Sequence, residues 1–234
     1  MCALIYIPRK NGMILCSVRD ENPHRAKAVA PSIHQGANGS YLCPVDGQSG
    51  GTWLGINDHK EAVVLLNGGF VNHLPAVRSY GKSRGLIVNE LLSNVGIFDG
   101  WNELDLETIE PFTLVVFSND QLKELVWDGT QKHAHTPNKS VPLIWSSSTL
   151  YTPEVKLLRK DLFNKWLTEY PSPGERELSE FLFSFNDPVN GFIMQRSDKL
   201  RSLSISTMTQ TVNETTLTYH DLITGKNTIQ SLSI

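Results

Sequence analysis

The chain contains 234 residues, of which 40% are hydrophobic and 19% charged, and its formal net charge is −3. This length can bury a substantial core, and the composition is that of an ordinary globular protein. A weakly negative chain without a basic cluster is not expected to bind nucleic acid. We also expect no membrane span and no signal peptide, because no apolar stretch is long enough for either.

The three cysteines, Cys2, Cys16 and Cys43, are an odd number and form no CxxC pair. Such a set argues against a disulfide framework and against a structural zinc site. We therefore expect a reducing, cytoplasmic environment, no metal and no cofactor.

Two other patterns suggest ligand binding and are set aside. His133-Ala134-His135 would place two imidazoles on one face of an extended chain, but no third ligand lies nearby, so a surface loop is the favoured interpretation. Gly81-Lys82-Ser83 resembles the end of a phosphate-binding loop, yet alanine occupies position 76, where that motif requires glycine.

Hydrophobic periodicity predicts strands separated by a few helices. The first helix is indicated by Val88, Leu91, Leu92 and Val95 at helical spacing, and Thr152-Pro153-Glu154 is a typical start of a second. In that second helix we expect Val155, Leu158, Leu162 and Trp166 on the buried face. Strands are predicted at residues 3–7, 13–18, 53–56, 62–67, 112–117, 122–127 and 141–145.

The C-terminal part completes the pattern. Ser172-Pro173-Gly174-Glu175 predicts a capping box before a third helix with Leu178, Phe181, Leu182 and Phe185 inside. Residues 191–234 alternate as strands, with a turn at 224–227. The sequence therefore predicts one α+β domain over residues 1–234, whose sheets are covered by helices.

The turn signal Asn11-Gly12 brings the start of the chain beside Arg19-Asp20-Glu21. A two-residue loop at Asn11-Gly12 would place Ala3 opposite Asp20 and Cys2 opposite Glu21. A three-residue loop would pair Cys2 with Asp20, and a four-residue loop with Arg19. Directly opposed residues lie about 5 Å apart, so each register predicts one site formed by Cys2 and the charged triplet.

Cys2 gains a special chemistry if Met1 is removed. The chain would then begin with a free amine and a thiol, and a terminal amine can act as the base for its own nucleophilic side chain. Arg19 would favour the thiolate, and Asp20 or Glu21 would orient the amine. The alternative interpretation is a small core residue beside a surface ion-pair cluster, and both remain open at this point.

At these residues the chain resembles the NRDE family, also called the transport and Golgi organisation 2 family. The name-giving motif corresponds to Val18-Arg19-Asp20-Glu21, with valine in place of asparagine. The resemblance continues in the stretch GGTWLGI at 50–56, in Asn67 after an apolar strand, in Ser83-Arg84-Gly85 and in WSSSTLYTPE at 145–154.

This family is similar to the N-terminal-nucleophile hydrolases of the penicillin V acylase and bile salt hydrolase type. The resemblance implies a four-layer αββα sandwich and a small-molecule amide substrate. It implies that Cys2 is the nucleophile, that Arg19 and Asp20 flank it, that Asn67 binds the oxyanion and that Arg201 supports the site. Those acylases carry a second asparagine where this chain has Ser147-Ser148, and their arginine and aspartate are not adjacent, so Ser148 and Glu21 are expected to contribute to binding.

The sequence thus favours a cofactor-free cysteine amidohydrolase. A non-catalytic binder or carrier of a hydrophobic or metabolite ligand in the same cleft is the second hypothesis, and a structural role of these residues the third. Trp53 could line the pocket or belong to the core, and Asn67 could simply end a strand before Gly68-Gly69. The oligomeric state is not predicted.

Overall fold

A computed structural model of the chain describes residues 3–72, 80–94, 96–185 and 187–233. Within these residues fourteen strands form two antiparallel sheets and four helices cover them. The first sheet has the order β10-β1-β2-β12-β13-β14, with β11 paired to β12, and the second runs consecutively from β3 to β9. The strands of the first sheet are β1 (Ala3–Arg9), β2 (Gly12–Glu21), β10 (Leu143–Ser146), β11 (Gln195–Ser197), β12 (Leu200–Gln210), β13 (Glu214–Asp221) and β14 (Asn227–Ser233). Those of the second are β3 (Val29–Gly36), β4 (Gly39–Val45), β5 (Leu54–Asn57), β6 (Ala62–Asn67), β7 (Phe112–Ser118), β8 (Gln121–Trp127) and β9 (Lys132–His135). The helices are α1 (Arg84–Ser93), α2 (Ile97–Glu103), α3 (Pro153–Glu169) and α4 (Glu175–Ser184).

Alternation along the strands creates four layers. In β1, Leu4 and Tyr6 point into the core between the two sheets, whereas Ile5 and Ile7 point into a separate cluster. That separate cluster includes residues of α3 and α4, so these helices cover the first sheet. Residues of α1 and α2 pack on the outer face of the second sheet in a third cluster. Successive side chains of a strand serve opposite faces, so each sheet packs on the other sheet with one face and on helices with the other. The αββα sandwich implied by the family resemblance is confirmed.

The first hairpin differs from the register first expected. Arg9 pairs with Gly12, so Lys10 and Asn11 form the turn, one residue earlier than Asn11-Gly12. The strand pairing continues to Ala3 opposite Val18. Ala3 opposite Asp20 is therefore wrong. The turn has two residues, but the register it sets is the one expected for the four-residue loop. Gly12 explains the shift: at φ +154° it lies so close to β12 that a Cβ atom would be 1.9 Å from the Gln210 carbonyl oxygen.

The helices follow the prediction in part. α1 and α4 lie where expected, but α4 begins after Gly174, whose N–H donates to Glu177, so a capping box with Ser172 is wrong. α3 begins at Pro153 after the N-cap Thr152, as expected, and the Thr152 side chain accepts a hydrogen bond from the Val155 N–H. Its fully buried residues are Arg159 and Phe163. Of the predicted face, Val155, Leu162 and Trp166 are half-buried, whereas Leu158 is 44% exposed, so its assignment to that face is wrong. Val95 lies outside the described residues.

Candidate functional site

An ion-pair cluster links the two sheets at the C-terminal end of β2. Arg19 in β2 donates from Nη2 to Oδ2 of Asp46, which directly follows β4, at 2.6 Å. Arg25 donates to both oxygens of the same carboxylate, each at 2.8 Å. Burial opposes ionisation of Asp46, but the hydrogen bonds from Arg25 and Ser49 outweigh it and hold the pKa of this carboxyl well below its usual range. Asp46 is thus ionised near neutral pH and holds Arg19 in place.

Trp53 forms the other contact of Arg19. The guanidinium carbon lies 4.7 Å from the centre of the Trp53 ring, a distance typical of a cation–π contact. Trp53 is only 3% exposed and belongs to the core between the sheets, yet it also lines a cavity of about 230 Å³ with Arg19. Both interpretations of Trp53 therefore apply. The remaining wall of this cavity includes Glu21, Arg25, Asp46, Asn67 and Arg84.

Asp20 has a separate set of partners. The Ser202 hydroxyl donates to Asp20 Oδ1 at 2.5 Å, and the Tyr151 hydroxyl donates to Oδ2 at 3.2 Å. Ser202 lies opposite Asp20 in β12, and a bulge between Ser202 and Ser204 shifts the register there. Bulges commonly re-aim side chains beside functional sites. The carboxylate is 3% exposed and held by two hydroxyl donors.

The alternation of β2 explains why Arg19 and Asp20 have different neighbours. Adjacent residues of a strand project to opposite faces, whereas Arg19 and Glu21 share a face. Glu21 accordingly lines the cavity with Arg19, and its Oε2 atom lies 4.0 Å from Arg25 Nε. The arrangement therefore brings Glu21 to Arg19 and directs Asp20 toward Tyr151.

Asn67 and Ser148 lie at the edge of a second cavity. Asn67 is the last residue of β6 and lines both cavities, the second of which has a volume of about 390 Å³. Its backbone carbonyl accepts a hydrogen bond from the Ser147 hydroxyl at 2.8 Å. Ser148 is 7% exposed, and its buried hydroxyl has no hydrogen-bond partner among the described residues. Gly68 follows Asn67 with φ +84°, and a Cβ atom there would lie 2.3 Å from the Ser148 hydroxyl oxygen, so the two segments touch.

Arg201 is brought to the same end of the first sheet. It lies opposite Glu21 in the pairing of β12 with β2, and its buried Nε atom has no partner within the described part of the chain. Cys2 lies outside the described residues. Its chain neighbour Ala3 is described and pairs on both sides, with Val18 of β2 and with Ser146 of β10.

Sequence reasoning missed four residues of this site: Arg25, Asp46, Tyr151 and Ser202. Asp46 follows a proline and a valine and precedes a glycine, a composition typical of a solvent-exposed turn. Tyr151 lies within the WSSSTLYTPE stretch, but no local pattern indicates that its hydroxyl contacts Asp20. These contacts arise from strands that are distant in sequence, so only the tertiary structure shows them.

His133 and His135 lie in an edge strand, so the surface loop favoured for them is wrong. β9 contains both, and His133 Nε2 lies 2.7 Å from Asp128 Oδ2. The described residues contain no group of three or more His, Cys, Asp or Glu side chains arranged to hold a metal ion. None of the helices in the described ranges combines the length and apolarity that crossing a membrane requires.

Solved structures define the class of fold. A Caenorhabditis elegans N-acylethanolamine-hydrolyzing acid amidase ortholog matches with a TM-score of 0.59 at 12% identity, covering 88% of this chain and 92% of that one. Penicillin V acylase from Agrobacterium tumefaciens matches with a TM-score of 0.58 at 11% identity, covering 98% and 85%. A conjugated bile acid hydrolase variant from Clostridium perfringens matches with a TM-score of 0.58 at 10% identity, covering 100% and 92%. The chain therefore has the fold of the N-terminal-nucleophile hydrolases, and at these identities the likeness concerns the fold alone.

The sequence identifies the family. The chain belongs to the Transport and Golgi organisation 2 family, whose sequence model matches residues 1–224. Among curated proteins, none matches this chain closely enough to count as a relative.

Proposed function

We propose that the protein is a cysteine amidohydrolase that cleaves a small N-acyl amide, with Cys2 as the nucleophile after removal of Met1. One observation carries this proposal. Ala3 lies between Val18 and Ser146, and the residues that follow these two neighbours are Arg19 and Ser147. Covalent geometry keeps the Cα atom of Cys2 within about 3.8 Å of that of Ala3. A nucleophile at Cys2 would therefore act beside the two cavities that Asn67 joins.

The charges at this end of the sheet suit a thiolate. Arg19 is 5% exposed and held by Asp46, so its charge stays close to the end of β1 and is poorly screened by solvent. A fixed cation favours the ionised thiol. Asp20, oriented by Ser202 and Tyr151, would accept a hydrogen bond from the terminal ammonium and position the amine as the base.

The reaction would pass through a thioester. The terminal amine takes the proton of the Cys2 thiol, the thiolate attacks the amide carbonyl, and the side-chain amide of Asn67 stabilises the oxyanion. The resulting ammonium gives that proton to the leaving nitrogen. Water then attacks the thioester, which releases the acid and restores the thiol. Loss of a single oxyanion donor costs about 3 kcal/mol in comparable sites. Ser148, whose hydroxyl has no partner in the described part of the chain, would supply the second polar contact.

We place this activity in a reducing compartment such as the cytoplasm. Cys16 and Cys43 are both free and buried. Burial raises the pKa of the Cys16 thiol to about 11 and that of Cys43 to about 12. Both remain protonated and unreactive near neutral pH, which supports Cys2 as the reactive thiol.

The test measures processing and turnover together. Intact-mass analysis should find a chain that begins at Cys2, and wild type should release free amine from at least one member of a panel of N-acyl amides. Cys2→Ala should abolish release, whereas Cys43→Ala should retain it and serves as the matched control. Trapped acyl-enzyme should carry its added mass on the N-terminal peptide. A retained Met1, or equal turnover by Cys2→Ala, would overturn the proposal.

A carrier function is the second candidate, and one observation favours it. The Trp53 Nε1 and Ser148 Oγ atoms are buried without hydrogen-bond partners among the described residues, as expected of groups that a bound ligand satisfies. A carrier would bind its ligand equally well in wild type and Cys2→Ala, and neither protein would change the ligand chemically.

A further inference from the structure

The other end of the sandwich contains a separate cleft of about 750 Å³ between the two sheets. The turns of four hairpins line it: β1–β2, β5–β6, β7–β8 and β12–β13. Its inner wall includes Tyr6, which is 2% exposed, and Phe117. β1 extends about 20 Å from Ala3 to Arg9 at the usual rise of a strand, so this cleft is distinct from the candidate active site.

The cleft is strongly cationic. Arg9, Lys10, Lys60 and Lys139 line it together with a single carboxylate, that of Asp120. Asp120 forms a salt bridge with Lys139, so one positive charge is compensated within the lining. Arg9 lies on the same face of β1 as Ile5 and Ile7, and its guanidinium contacts Ser172 and Pro173 outside the cleft. Lys10 and Lys60 are therefore the two cations in excess, although the whole chain is negative.

One of the two excess charges is held in place by a neutral group. The Lys60 ammonium donates to the Val212 backbone carbonyl at 2.7 Å. Both Lys60 and Val212 line the cleft. The neutral acceptor fixes the lysine side chain without cancelling its charge.

The turns that line the cleft are tight. Asn119 and Asp120 have φ angles of 51° and 56°, as in a tight two-residue hairpin turn, and Lys60 has a φ angle of 66°. Gly12 packs so closely on Gln210 that no side chain fits between them. A preformed site loses less entropy when a ligand binds.

We propose that this cleft binds a small molecule carrying two or more phosphate groups. Lysine is a usual partner of phosphate, and the two lysines in excess suit a ligand with two phosphate groups. The volume lies within the range of small-molecule sites, about 300–1,000 Å³. The inner wall at Tyr6 lies between the sheets, which a soluble ligand reaches more readily than the flat surface of a bilayer.

The test uses inorganic pyrophosphate without metal ions. Isothermal titration of the wild-type protein at low ionic strength should show one site, and added salt should weaken binding. Lys60→Asn should raise the dissociation constant about tenfold, the factor expected when one charge-assisted hydrogen bond is lost. Asparagine tolerates the left-handed backbone at position 60, so the fold is retained. Lys226→Asn, in the β13–β14 turn at the opposite end of the first sheet, is the matched control and should bind like wild type.

The remaining outcomes also decide the proposal. If thermal unfolding shows that Lys60→Asn is destabilised, Lys10→Gln replaces it. Lys10 is exposed in its turn, so this substitution should leave the fold intact and weaken binding equally. Co-sedimentation with vesicles that contain phosphatidic acid forms the second arm. Binding to vesicles without binding to pyrophosphate would assign the cleft to a lipid surface and overturn the small-molecule proposal. No binding, or equal binding by all variants, would overturn it as well.

Discussion

Arg19 and Asp46 connect the two sheets through a hydrogen bond of 2.6 Å, with side chains that are 6% and 11% exposed. Arg19 belongs to β2 of the first sheet, and Asp46 follows β4 of the second. A buried charge that loses its partner is expensive, because it has been removed from water without compensation. This contact therefore contributes both to the stability of the sandwich and to the position of Arg19 in the candidate site.

We expect Asp46→Asn to lower the free energy of unfolding by about 3 kcal/mol, the lower part of the range for breaking a buried ion pair. Asparagine keeps the size of the side chain but leaves the Arg19 charge uncompensated. Urea unfolding at pH 7 measures the difference. Asp198→Asn, in the exposed turn between β11 and β12, is the control and should change stability by no more than about 0.5 kcal/mol.

The same carboxyl predicts a pH dependence. Because Arg25 and Ser49 hold the pKa of Asp46 below its usual range despite burial, its stabilising contribution is complete above the unfolded pKa of about 4. The contribution should be lost progressively as the pH falls below that value toward the lower folded pKa. Asp46→Asn should therefore show a weaker decline of unfolding free energy between about pH 4 and pH 2 than wild type. Parallel curves for the two proteins would contradict this assignment.

Most strands were predictable because each contains a short run of apolar, β-prone residues. The β5–β6 hairpin, with Leu54 opposite Val64, lies where residues 53–67 indicated it. β3 was not predicted, because Val29 and Ile33 are 56% and 49% exposed and the strand contains no apolar alternation. α2 was missed as well: the Gly96 and Ile97 N–H groups donate to the carboxylate of Glu61, so the partner of this helix start comes from the distant β5–β6 turn.

The site residues that lie at the end of a predicted strand could be identified from the sequence. Arg19-Asp20-Glu21 and Asn67 lie at strand ends that the sequence indicated, and all reach the same end of the sandwich. The register was not predictable, since the contact between Gly12 and Gln210 joins residues 198 positions apart. The separation of Arg19 from Asp20 follows from strand alternation alone and could have been predicted.

We expect Cys2 to be the most reactive thiol of the chain. Burial raises the pKa of Cys16 and Cys43 to about 11 and about 12, so the thiolate fraction of both is negligible near neutral pH. Brief alkylation near pH 6.5 followed by peptide mapping should find the label on Cys2 first. Preferential labelling of Cys16 would contradict the burial of β2.

Arg19 should control the reactivity of Cys2. Arg19→Ala removes a fixed positive charge, so the pKa of the Cys2 thiol should rise by about 1–2 units. Arg19→Lys should restore only part of the effect, because lysine keeps the charge without the planar guanidinium. The pH dependence of Cys2 alkylation in the three proteins measures this. Superimposable curves would remove Arg19 from the proposed mechanism.

The last prediction concerns Tyr151, whose hydroxyl donates to Asp20 Oδ2 at 3.2 Å. Tyr151→Phe removes this donor but keeps the ring, which packs 4.0 Å from the Arg159 guanidinium carbon. The free energy of unfolding should fall by about 1 kcal/mol, the usual value of one hydrogen bond. Amide turnover should fall far more, by about tenfold to a hundredfold, because a misplaced Asp20 no longer orients the terminal amine.

Tyr6→Phe is the matched control for this variant. The Tyr6 hydroxyl donates to the Lys139 carbonyl at 2.9 Å. Tyr6 lines the cleft at the end of the sandwich opposite the candidate site. Both variants lose one hydroxyl from a buried tyrosine, so their unfolding free energies should change by similar amounts. Only Tyr151→Phe should lower turnover while retaining the fold. If the two variants lose activity equally, the contact between Tyr151 and Asp20 has a structural role and does not position the amine.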